Sequence, residues 1–86
     1  MIPAADQWGP FAPGLDAAEL RARLRSLRQT ARLLAGPRAA DLCRRLAEAE
    51  TDPSALDPVC LALNAMAASD KRQIWAAYAG LIRSAA

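Results

Sequence analysis

The chain has 86 residues, eleven Lys and Arg against nine Asp and Glu, and no histidine. Twenty-two residues are Ala and twelve are Leu, whereas only Ile2, Thr30, Thr51, Val59, Ile74 and Ile82 are β-branched. Strands draw on β-branched and aromatic residues and helices on Ala, Leu, Arg and Glu, so β-sandwiches, barrels and most α/β folds are excluded. Without His there is no imidazole acid–base chemistry and no His ligation of a metal.

The length allows one domain. The formal charge of +2 is too small for a whole-protein field that captures nucleic acid or membrane. No run approaches the roughly 18 apolar residues of a membrane span, and the start lacks a basic stretch followed by an apolar one. The expectation is a soluble, cytoplasmic protein. Cys43 and Cys60 form no C-x-x-C pattern, and no further Cys or His completes a zinc site. Both are expected reduced and buried, as small hydrophobes. No metal and no cofactor are expected.

Residues 1–14 read as an extended arm. Pro3, Gly9, Pro10, Pro13 and Gly14 forbid a stable helix. Yet the arm holds Ile2, Trp8 and Phe11, and two of the four aromatics of the chain are here. Such an arm lies across the bundle, reaches a partner or a second copy, or is plain disorder.

The remainder, residues 15–86, reads as a single helical domain. A first helix is expected from Asp16 to Ala35. Asp16 is a good N-cap, and Glu19 stands where a capping box needs an acid. Leu20, Leu24, Leu27, Ala31 and Leu34 repeat at helical spacing and mark one buried face. Gly36 and Pro37 end the helix. A second helix is expected from Pro37 to Glu50, with Ala39, Leu42, Cys43, Leu46 and Ala49 inward and an Asp41–Arg45 pair outside.

Asp52-Pro53 and Asp57-Pro58 are two cap-then-proline signals. They predict a 3₁₀ turn at Pro53 and a third helix from Pro58 to Ala68, buried over much of its circumference, Leu61 included. A fourth helix is expected from Asp70 to Ser84, capped at Ser69 or Asp70, with Ile74, Trp75, Tyr78, Leu81 and Ile82 forming its apolar face. The connections are short, so consecutive helices pack as neighbours. The fold class is therefore all-α, a small antiparallel bundle of about four helices with an extended N-terminal arm.

The sharpest chemical feature is on the first helix. Arg21, Arg25, Arg28 and Arg32 recur at spacings of 4, 3 and 4, which places four guanidinium groups on one face, about 100° round from the leucines. Like charges one turn apart repel, and no acid within the helix stands one turn from any of the four. The stripe is solvated, paired with another helix, or used for binding. Lys71 and Arg72 open the fourth helix, but Asp70 beside them weighs against an anion site. The aspartates fall at cap or pairing positions, and there is no phosphate loop or catalytic motif.

A helix-turn-helix is disfavoured, because the third helix carries no Arg or Lys and only Asn64 to read a base. The sequence reads as a non-enzymatic protein–protein interaction module, a small regulator or adaptor. Arg21, Arg25, Arg28 and Arg32, with Trp8 and Phe11, are its candidate contact residues. The expected partner is an acidic protein surface or a second copy. The alternative is a small DNA-binding regulator that lays the arginine stripe on phosphates.

Overall fold

Asp16 starts the first helix as expected: its Oδ1 accepts a hydrogen bond from the Glu19 backbone N–H at 2.8 Å. The capping box is only half made. The Glu19 carboxylate does not reach back but accepts from Arg23 Nε at 2.8 Å, one turn on. The computed structural model describes residues 14–85, without the side chains at position 53 and beyond position 81. Apart from Gly14, the expected arm with Trp8 and Phe11 lies outside the described residues.

Every regular element among them is helical. Helix α1 spans Ala17–Ala35, a 3₁₀ turn Gly36–Ala39, α2 Ala40–Thr51, a second 3₁₀ turn Pro53–Ala55, α3 Leu56–Asn64 and α4 Ala68–Ala85. Gly36 ends α1 at a φ of 54°, where its N–H bonds the Arg32 carbonyl. That positive φ is open to glycine at little cost. Pro37 follows in the 3₁₀ turn, so the second α-helix begins at Ala40 and not at Pro37. Asp52 caps the next turn, accepting from the Ser54 N–H at 3.1 Å and its hydroxyl at 2.6 Å.

Three sequence expectations need correction. Helix α3 ends at Asn64, four residues early, although Ala-Met-Ala-Ala favours continuation. The Met66 N–H turns back to the Leu63 carbonyl at 3.2 Å, closing a tight last turn. An unbroken helix from 56 to 85 would be about 45 Å long at 1.5 Å per residue, against a longest dimension of 30 Å. The break is what lets α4 return to the core. Helix α4 then begins at Ala68, so Asp70 lies inside its first turn and is not its cap. Finally, α3 is buried on one side only: Val59 and Leu63 are inside and Leu61 is 72% exposed.

The core comprises Leu24, Leu27, Ala31 and Ala35 of α1, Ala39 of the turn, Leu42, Leu46 and Ala49 of α2, Val59 and Leu63 of α3, and Ile74 and Tyr78 of α4. The leucine face of α1 drifts at its end, where Ala35 is buried and Leu34 is 40% exposed. Ala35 lies on the side that turns toward α2. Thr30 is buried too, its hydroxyl bonded to the Ser26 carbonyl at 2.8 Å. Trp75 is half-buried beside Tyr78, their ring centroids 5.5 Å apart. Leu81, expected on the apolar face of α4, is half exposed. Helix α1 packs on both α2 and α4, and α2 packs on α3.

An ion pair joins the turn after α1 to the first turn of α4. Arg38, in the turn after α1, grips Asp70 of α4 with Nε to Oδ2 at 2.8 Å and Nη2 to Oδ1 at 3.0 Å. This hydrogen-bonded guanidinium holds the Asp70 carboxyl below the ordinary carboxylate range. A carboxyl with a depressed folded pKa stabilises above its unfolded pKa, ~3.9 for Asp, and loses that contribution as pH falls through the folded value. Asp70→Asn should therefore melt below the parent protein at neutral pH. The gap should narrow only below about pH 4, and thermal melts of the two proteins across the acid range check this.

Candidate functional site

The helical repeat brings Arg21, Arg25, Arg28 and Arg32 to one side of α1, as the spacing predicts. That side faces the edge of α2, and there the structure supplies an acid that the sequence reading did not. Glu50, in the last turn of α2, accepts from Arg28 Nε at 2.7 Å and from Arg25 Nε at 3.3 Å. Its side chain is only 9% exposed. A carboxylate so nearly buried is tolerated because both oxygens are paired with cations. The expectation of four unpaired arginines is therefore corrected: Arg25 and Arg28 pair with another helix. Arg21 and Arg32 have no ion-pair partner among the described residues, and both are exposed.

A signal for Glu50 was present. Acids are unfavourable in the last turn of a helix, where the dipole is negative, so an acid there needs a cation brought from elsewhere. Nothing in the sequence says which cation, because the partner residues lie more than twenty positions away.

Beside this pair runs an open groove of about 560 Å³ between the C-terminal half of α1 and α2. Arg28 and Arg32 of α1 and Arg44 of α2 line it together with the small residues Ala40, Cys43 and Ala47. Arg44 is shared between Asp41 and, at 3.7 Å, Glu48. The Cys43 thiol bonds the Arg28 carbonyl at 3.7 Å. Burial pushes its pKa up, and the charges of Arg28 and Arg32 pull it back in part. Both Cys43 and Cys60 are free, as expected, but each is half-buried and not fully enclosed. Asn64 donates to Cys60 Sγ at 3.6 Å.

The arrangement is a cationic face beside a groove lined by small residues. Among the described residues no group of three or more Cys, Asp or Glu is placed to hold a metal ion. No helix there is long and apolar enough to cross a membrane. At the start of α4, Arg38 occupies the Asp70 carboxylate beside Lys71 and Arg72. Trp8 and Phe11 are outside the described residues, so the structure does not bring them to this face or away from it.

Replacing Arg25 and Arg28 together by Glu sets three carboxylates side by side. The Glu50 carboxylate is nearly buried, so leaving it without either cation costs more than the ~1 kcal/mol of an exposed pair, and in a domain of this size even that much is several degrees of melting temperature. The double variant should melt lower than the parent. Adding Glu50→Arg should recover part of the loss, because the pairs re-form with signs exchanged. Thermal melts of the double and triple variants are the measurement.

Comparison with protein-family models, with curated proteins and with solved structures finds no match to this chain.

Proposed function

We propose that this chain is a non-enzymatic protein–protein interaction module, a small regulator or adaptor that binds an acidic segment of a partner along the arginine face of α1. The reading takes the four helices as one small bundle carrying the N-terminal arm, with Trp8 and Phe11 as an apolar contribution to the contact. The observation that supports it most is the imbalance of charge at the α1–α2 edge. Glu50 is the one carboxylate that answers the stripe among the described residues, and it is shared by two guanidinium groups. Arg21 and Arg32 are left facing outward on either side of that pair.

Arg suits such a role, since its planar fork pairs with carboxylates through two donors. The groove lined by Ala40, Cys43 and Ala47 next to Arg32 allows a partner's backbone to come close without a large side chain in the way. Complementary charge mainly sets the partner and the rate of encounter, and the packed centre sets how long the complex lasts.

The structure also selects the right variant for the test. Arg25 and Arg28 pair with the nearly buried Glu50, so reversing them confounds stability with binding. Arg21→Glu with Arg32→Glu avoids this. Surface changes of this kind alter stability by less than about 0.5 kcal/mol, so the double variant should melt like the parent. It should lose partners that the parent captures from its host, because like charges facing one another at an interface are strongly unfavourable. A folded double variant that keeps every partner overturns the proposal. If the variant loses only the binding of a DNA duplex, with the steep salt dependence of phosphate contacts, the DNA-binding alternative replaces it.

A further inference from the structure

The opposite edge of α2 carries a second groove, of about 330 Å³, lined by Asp41 and Arg45 of α2, by Pro58, Leu61 and Ala62 of α3 and by Ala65 just past its end. Its character differs from that of the arginine face. A single exposed leucine needs no explanation. Leu61, however, stands in line with Pro58, Ala62 and Ala65, so the apolar surface is continuous along α3. Of the charged residues that line it, Asp41 and Arg45 stand a single helical turn apart, with Arg45 Nε 3.7 Å from Asp41 Oδ1, the oxygen that Arg44 also holds from outside the groove.

We propose that this α2–α3 face is the docking surface for a second copy of the chain, with Leu61 of each copy seated in the groove of the other and Asp41 of each facing Arg45 of the other. A closed dimer has a twofold axis and sets the same patch against itself, so the patch must be self-complementary. The rim meets that condition. Two α2 helices running antiparallel across such an axis bring position 41 of one opposite position 45 of the other, twice. Both matches are acid against base. The arginine face fails the same condition, because Arg21, Arg25, Arg28 and Arg32 would meet their own kind. An acidic foreign partner is drawn to that cationic face and gains no net attraction from a rim of balanced charge.

The groove is small, so the interface falls at the low end of the range for specific complexes and the dimer is weak and concentration-dependent. It rests on none of the residues assigned to the acidic partner, so it stands or falls independently of the function proposed above.

Sedimentation analysis over a range of protein concentrations tests it. The mass should rise from 9.2 kDa toward twice that value. Leu61→Asp should stay helical, since the side chain is exposed, and should remain a monomer throughout. Asp41→Lys alone and Arg45→Glu alone should each be monomeric, because each sets like charges across the axis. An equimolar mixture of those two variants should recover the doubled mass, as a heterodimer with two basic positions facing two acidic ones. Circular dichroism of each variant separates loss of association from loss of fold, and the mixture works only if both are folded. A parent protein that stays monomeric at every concentration overturns the proposal. So does a dimer that Leu61→Asp leaves intact, or a mixture of charge variants that fails to recover association.

Discussion

Leu24 and Leu27 of α1 and Leu42 and Leu46 of α2 form the layer on which the other elements rest. All four are fully buried or nearly so, and each is worth about 1.5–3 kcal/mol when removed from water. Helix α4 adds Ile74 and Tyr78 to this layer from the α1 side, and α3 adds Val59 and Leu63 from the α2 side. The alanines do a different job. Ala35 before the Gly36–Ala39 turn and Ala39 at its end are buried, where larger side chains would hold α1 and α2 apart. They gain little from burial themselves but allow the leucines to meet. With so few large apolar residues, the core has little excess, and surfaces that bury further area have an energetic role to play.

Charge acts at two joints of this frame. Glu50 ties the end of α2 to the middle of α1, and Arg38 ties the turn after α1 to the first turn of α4. Neither pair is a large source of stability, since Arg25, Arg28 and Arg38 remain partly in water. Their effect is on geometry. Each links residues more than twenty positions apart and penalises slippage between helices whose apolar faces, built from Ala and Leu, would otherwise tolerate several registers. The Asp70 pair also shows why one residue cannot be given two roles from sequence alone. An aspartate beside the start of a helix suits both a cap and an ion pair, and the position of Arg38 decides it.

What the sequence made legible follows from what is local. The Asp16 cap, the glycine stop at Gly36 and most of the inward faces of α1 and α2 depend on residues within about one turn of one another, and the structure has them, with Leu34 and Cys43 only partly inside. The end of α3 was not legible, because Ala65-Met66-Ala67-Ala68 favours helix locally and is broken by the need to bring Ile74 and Tyr78 back to the core. Leu61 was misread for a related reason. A short apolar helix has no polar side to mark which face is out, and only the placement of α2 settles it. The arginine stripe was legible as a pattern but not as an environment. Its spacing gave a common face, while the identity of Glu50 as the shared counter-charge required a contact between residues over twenty positions apart.

Helix α2 is the wall between the two surfaces, and this bears on how they would work together. On one edge it presents Ala40, Arg44 and Ala47 beside the arginines of α1. On the other it presents Asp41 and Arg45 beside α3. Because the edges do not share their central residues, a second copy docked on the α3 side leaves both arginine faces open. Such a dimer would be bivalent toward an acidic partner, and two linked sites bind a repeated or dimeric target more tightly than either alone when the spacing permits both to engage. The gain needs no new contact. It follows from placing a self-complementary rim and a single-sign face on opposite edges of one twelve-residue helix.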